Sequence, residues 1–205
     1  IDVTPMDNSK SKKEGVSEPT KGDGYAPMMA YIDTEGYTIN FELREGKQHC
    51  QKGTVEFLQE TITLCHKLTD KPLLIRLDSG NDSIDNASIC IMPMGNGAVH
   101  SEVKTDMDLE RLPSGKFATN ALILELGMIA YNILRMIGQG TIGGRAPRQK
   151  RDVKRRRLRT VISNLIMMAG HITMHARQLI IGLGKSNVWR HIFSDICQKY
   201  AVTNA

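Results

Sequence analysis

Cysteine is sparse in this chain of 205 residues: four, at positions 50, 65, 90 and 197, with no C-x-x-C spacing. That excludes a disulfide framework and the common zinc-finger patterns. With no signal-peptide pattern either, a reduced cytoplasmic protein with free thiols is expected. The pairs His49–Cys50 and Cys65–His66 do not suggest zinc, because adjacent residues rarely converge on one ion and Cys65 falls on a helical apolar stripe. An uninterrupted apolar run of membrane-span length is also missing. Residues 118–138 come closest, but Asn120, Glu125, Asn132 and Arg135 interrupt them, which favours a core helix and gives no reason to expect a membrane partner. A starting Met is absent as well. The chain opens on Ile1 and already reads as a strand over its first four residues, so an N-terminally truncated fragment is expected.

The apolar fraction of 40% suits a soluble globular protein, and the length suits one domain of ordinary size or one with an appendage. Aromatics make up 5%, while methionine is frequent, at 11 residues. The net charge of +5 is unevenly placed. Nine basic residues fall between positions 145 and 159: Arg145, Arg148, Lys150, Arg151, Lys154, Arg155, Arg156, Arg157 and Arg159, opposed only by Asp152. Such density points to a polyanion, with nucleic acid ahead of a membrane surface; the plain alternative is a solvated loop before a helix.

Along the chain, Ile1–Thr4 is extended and residues 8–24 read as a polar loop. Residues 25–33 and 37–44 predict two strands of a hairpin, joined by Thr34-Glu35-Gly36. Thr38, Asn40 and Glu42 alternate with Ile39, Phe41 and Leu43, so one face is expected to be buried. Between Gly53 and Leu68 the period changes: Val55, Leu58, Ile62 and Cys65 mark a helix that Thr54 can cap. Leu73–Leu77 is a short apolar run fed by that helix and predicts a central strand ending at Asp78. Residues 79–99 carry no clear pattern. Residues 100–108 suit a helix, and 118–137 predict another with Leu122, Leu126, Ile129, Ile133 and Ile137 on its main stripe. A long helix is expected from about 158 to 181, stopped by Gly182-Leu183-Gly184, and then a last helix capped by Ser186, with Val188, Ile192, Ile196 and Tyr200 inward. The order predicts an α/β fold, a mixed sheet with helices added after it.

Two carboxylates stand out by position. Asp2 lies in the first strand and Asp78 closes the fourth. If those strands are parallel neighbours, both acids approach one point at the sheet's edge, where open α/β sheets place their sites. With a third acid they could hold two Mg²⁺ ions about 4 Å apart for in-line phosphoryl displacement. The same residues also suit turns, as in Asp78-Ser79-Gly80.

The segment Asp2-Val3-Thr4 resembles the first catalytic motif of DDE transposases encoded by bacterial insertion sequences (transposase DDE domain, group 1 type), and Leu74–Gly80 resembles the second. Leu109–Gly115 with Asn120, Ala130-Tyr131-Asn132 and the Arg-rich stretch before residue 158 resemble the segments that succeed the family's third acid. The resemblance spans nearly the whole chain apart from residues 81–99. It implies an RNase H-like mixed sheet (three antiparallel strands, a helix, a parallel strand) over residues 1–137, a basic linker over 138–157 and a C-terminal helical region over 158–205. It further implies Mg²⁺ or Mn²⁺ on Asp2 and Asp78, and DNA, both element ends and target, as partner. Lys104, Arg111 and the basic run are implied DNA contacts, a homodimer on paired ends is usual, and the bacterial nucleoid is the implied location.

The third acid departs from that pattern. The family places a glutamate seven residues before a lysine, on one helix face. Lys104 matches the lysine, but Gly97 stands at the glutamate's position. Glu102 is the nearest acid, about 140° further round the helix. Only 21 residues separate Asp78 from His100, where the family carries a long insertion, so an internal deletion over 79–99 is expected to have removed insertion and glutamate together. Three readings are open: a DDE transposase by descent, a catalytically inactive DNA-binding remnant, or another RNase H-like nuclease using Glu102 or Asp106. Among smaller candidates, His171 and His175 sit one helical turn apart without the glutamate of a zinc-protease box, Trp189 is expected to pack the last helix, and Met167-Met168 to fill core.

Overall fold

Five short strands open the chain: β1 (Asp2–Val3), β2 (Met6–Asp7), β3 (Gly24–Tyr25), β4 (Met28–Ile32) and β5 (Tyr37–Glu42). The computed structural model describes residues 1–9, 11–16, 24–32, 35–49, 51–77, 101–142 and 154–201. Two compact units result, Ile1–Asn132 and Ile133–Ala205. The fold is mixed α/β, and every strand pair among the described residues is antiparallel.

In the first unit the sheet order is β1-β4-β5, with β2-β3 a separate pair. The strand expected over 25–33 is split, because Pro27 has no N–H to give to a ladder. Its carbonyl still accepts from the Thr4 nitrogen at 2.9 Å. The hairpin β4–β5 is as expected, and Gly36 in its turn takes φ +74°, a conformation that suits glycine.

Alternation along β5 fails for a specific reason. Ala30 pairs with Asn40 but Tyr31 pairs with Thr38, so Ile39 is the extra residue of a β-bulge. Past the bulge the side chains change face. Thr38 and Asn40 are both buried, and it is these polar residues, not Ile39 and Phe41, that lie deepest.

Helix α1 (Thr54–His66) packs on one face of this sheet, where Phe57 joins Met28 and Ala30 in a cluster with Val3 and Ile39. Asn40 donates to the Thr61 hydroxyl at 3.1 Å. The buried row of α1 is Thr54, Phe57, Leu58, Thr61 and Cys65, one step round from the expected row. Thr61 can lie in it because its hydroxyl also donates to the Phe57 carbonyl at 2.7 Å. Thr54 is not the cap. Gly53 holds that position at φ +75°, a left-handed conformation that a β-branched residue adopts only at a cost.

Helix α2 (Phe117–Gly140) corrects the expected stripe outright. Leu122, Leu126, Ile129 and Ile133 are exposed, while Asn120, Leu124, Met128, Tyr131 and Arg135 are buried. The inward row can be the more polar one because its polar groups find partners. Tyr131 donates to the Gly36 carbonyl at 3.0 Å. Beside it, the half-buried Asn132 amide accepts from the Thr38 nitrogen at 2.9 Å and donates to the Thr38 carbonyl at 2.8 Å. β5 is an edge strand, and Asn132 satisfies the main-chain pair that a further strand would otherwise take. Asn132→Ala therefore leaves that pair unsatisfied. It should lower unfolding free energy by about 1–3 kcal/mol, read as a reduced urea midpoint, with the exposed Gln59→Ala as a control that stays within error.

The run Leu73–Leu77 carries no strand, and Leu74 is 72% exposed, so the expected parallel strand is not formed among the described residues. A π-helical turn covers Glu102–Asp106, in keeping with the helix expected there.

The second unit departs further from expectation. The helix foreseen over 158–181 is only α3 (Leu158–Val161) and a π-helical turn (Ile162–Ile166), succeeded by a hairpin of β6 (Gly170–His175) and β7 (Gln178–Leu183). Ile172 faces Ile181 and Met174 faces Leu179, pairs that suit a sheet face. The turn residues Ala176 and Arg177 have φ of 49° and 65°, as a two-residue hairpin turn requires, without the Asn or Gly that would have announced it. Gly182 and Leu183 thus end a strand rather than a helix. The last helix, α4 (Arg190–Tyr200), starts later than expected, and Asn187, not Ser186, precedes it with an Oδ1 accepting from the Trp189 nitrogen at 2.8 Å. Val161, Leu165 and Ile192 form this unit's core, with Trp189 and Met168 packed on it, whereas Met167 and Val188 are exposed.

Candidate functional site

β1 positions the first candidate acid. Asp2 is half-buried and lies opposite Met29 of β4. Thr4 turns its nitrogen toward Pro27 on the β4 side. Ile1, of opposite parity, turns its nitrogen the other way and donates to the Arg76 carbonyl at 2.7 Å. The chain at Arg76 thus passes close to Ile1, the residue before β1. Asp78 lies outside the described residues, as does Gly97. Among the described residues no three His, Cys, Asp or Glu side chains gather in a way that could hold a metal ion.

Glu102 is buried at 1% exposure in the π-helical turn, beside buried Val103. Lys104, two residues on, sits 3.7 Å from Glu110. Arg111 is largely exposed and 3.7 Å from Asp7. The exposed Arg111 pair contributes little to stability, whereas Lys104 is half-buried beside its partner.

Of the basic run, Arg145, Arg148, Lys150 and Arg151 lie outside the described residues. Lys154, Arg157 and Arg159 are exposed and Arg155 is half-buried. Arg156 differs from its neighbours. It is 6% exposed, its Nε donates to the Thr141 hydroxyl at 2.6 Å, and its guanidinium stacks 5.1 Å from the Trp189 ring centroid. Its carbonyl accepts from Arg135 at 2.8 Å. Burial pushes the Arg156 guanidinium below its ordinary value, consistent with a packing role. A run of identical charges gave no sign of which member turns inward.

The motif residues Asn120, Tyr131 and Asn132 also prove structural. Asn120 is fully buried, donates to the Tyr25 hydroxyl at 2.8 Å and accepts from the Ser114 nitrogen at 3.0 Å, closing the turn Leu112–Gly115 onto the sheet. Burial raises the Tyr25 phenol, against the lowering effect of that hydrogen bond.

His171 and His175, read from sequence as one helical turn apart, stand four residues apart on one strand, about 13 Å, too far to share an ion. Cys65 is buried, and burial pushes its thiol up, which opposes a zinc-ligand role. No family model, no curated protein and no solved structure matches this chain.

Proposed function

We propose that this chain descends from a DDE transposase of a bacterial insertion sequence, binds DNA through its basic segment, and lacks the third acid needed for strand transfer. The observation that carries the reading is the Ile1–Arg76 hydrogen bond of 2.7 Å. It supports an RNase H-like order, in which β5, β4 and β1 are joined, on the far side of β1, by the run that ends at Asp78. Asp78 is two residue steps on from Arg76, a reach of at most about 7 Å. Asp2 and Asp78 would then hold one Mg²⁺ or Mn²⁺ between them, with too few oxygens for a second. When bound, such a cation supplies activation of water, and then of a 3′-hydroxyl, for attack on phosphate. The chain's own part is to place two carboxylates at one sheet edge and to hold the DNA backbone with Lys154, Arg155, Arg157, Arg159 and the basic residues before them.

Fe²⁺ can replace Mg²⁺ in oxygen-ligand sites and, with ascorbate and peroxide, cuts the polypeptide where it is bound. Cleavage near residue 78 is expected, suppressed by excess Mg²⁺ and lost in Asp2→Asn. Cleavage near residue 78 that persists in Asp2→Asn would show that the two acids do not share an ion.

The second reading, another RNase H-like nuclease using Glu102 or Asp106, is disfavoured by the burial of Glu102 in its π-helical turn.

A further inference from the structure

We infer that the hairpin β6–β7 is an arm that enters the minor groove of duplex DNA, apolar face first and with Arg177 at its tip. The arm lies wholly within the second unit, and every residue from Gly170 to Ile181 is exposed. Ile172 stands opposite Ile181, and Met174 opposite Leu179. Directly opposed residues share a sheet face, so these four make one apolar surface. They are exposed at 69, 56, 78 and 66%. Among the described residues, none of them joins the core built on Val161, Leu165 and Ile192. A two-stranded hairpin is marginal by itself in water, and apolar side chains gathered on one face mark a place for a partner.

Charge selects that partner. Between Asp152 and Asp195 the chain has no acid and eight Lys or Arg. The whole second unit, residues 133–205, has 14 Lys and Arg against two acids, whereas residues 1–132 have 13 against 20. A surface of that sign draws a polyanion and opposes pairing with an equally basic second copy. Within the arm the cation is at the tip, where Arg177 is exposed in the turn between His175 and Gln178. The minor groove of A·T tracts has the enhanced negative potential that attracts an inserted Arg. Proteins that bind there wedge Ile, Leu or Met between base steps. Met174 and Leu179 are the apolar pair nearest the tip, so they reach the base steps first. On the opposite face, a side chain at Gly182 would collide with the His171 ring, and its absence keeps the arm thin. The strands are about 4.8 Å apart and the groove about 6 Å wide, so entry requires the groove to open, with a kink toward the major groove. The identity of the partner rests on the DNA reading above, but the arm is separate from the basic run.

Fluorescence anisotropy of the full chain on an A·T-rich and a G·C-rich duplex, from about 50 to 200 mM salt, tests it. The variant is Met174→Ser/Leu179→Ser, in which both replaced side chains are exposed, with circular dichroism as the folding control. Apolar contacts release no counterions. The variant should therefore bind the A·T-rich duplex about ten- to a hundredfold more weakly at every salt, with the slope unchanged. Distamycin, which fills the A·T minor groove, should weaken binding by the parent and leave the variant's residual binding as it is. Measured on the parent alone, it keeps the test decisive if the variant does not fold. A folded variant with parental affinity, a parent that binds the two duplexes equally, or parental binding indifferent to distamycin would each overturn the inference and leave the DNA reading standing. A parent that binds neither duplex at any salt would overturn both. Parental flotation with phosphatidylcholine vesicles that the serine variant loses would assign the face to lipid and overturn the inference as well.

Discussion

Alanine at Lys154, Arg155, Arg157 and Arg159 together should reduce affinity for duplex DNA by about three orders of magnitude near 0.1 M salt. Removing one phosphate contact takes about 0.9 off the slope of log affinity against log salt, so removing four takes off about 3.6. Three of these side chains are exposed and the fourth is half-buried, so all can reach a backbone. Arg156 is left out because it is inside. Arg156→Ala should instead lower the melting temperature of the second unit, through loss of the Thr141 hydrogen bond and the Trp189 stack, and leave the salt slope nearly unchanged. Fluorescence anisotropy on a short duplex from about 50 to 200 mM salt, the range over which such contacts show, separates the two effects. An unchanged slope in the quadruple variant would show that the segment does not touch phosphate.

The parts of the fold legible in the sequence are those whose signals are local. The hairpin β4–β5, α1 and α2 were each foreseen because turn residues and apolar period agree over a dozen residues or more. Which face of α2 turns inward was not legible. Hydrophobicity marks the face that needs burial, and here that face is the outer one, while the inner face is held by Tyr131, Arg135 and Asn120 through partners far away in sequence. The C-terminal hairpin was hidden for a related reason. Ile172, Met174, Leu179 and Ile181 fit a helical stripe as well as a strand face, and the turn at Ala176-Arg177 carries no glycine. Thr38 and Asn40 could not be read as buried because the bulge at Ile39 changes the face, and bulges leave no mark in alternation. Of the candidate site, Asp2 lies on β1 as expected and the Ile1 nitrogen donates to the Arg76 carbonyl, but the parallel strand expected to lead to Asp78 is not formed among the described residues, because the run Leu73–Leu77 makes no ladder there. The inward turn of Arg156 was not legible, since it depends on Thr141 and Trp189.

Strand transfer by this chain should be undetectable. A catalytic cation contributes several kcal/mol of charge stabilisation at the reacting phosphate, and each ~1.36 kcal/mol is tenfold, so losing the anchor of a second ion costs on the order of 10³ in rate. Gly97 has no side-chain carboxylate where the resembled family's pattern has a glutamate. Glu102 is not a ready substitute, because it is buried in a π-helical turn whose Glu102 carbonyl accepts from the Met107 nitrogen at 3.0 Å, and bringing it round would break that turn.

The most direct test puts binding and cleavage in one reaction. The purified chain is incubated with Mg²⁺ or Mn²⁺ and a duplex carrying the DNA that flanks its coding sequence, and both the bound fraction and the nicked or joined products are measured. The proposal predicts salt-dependent binding without products. Products that disappear in Asp78→Ala would contradict it, and their loss in Glu102→Ala as well would assign the third acid to Glu102.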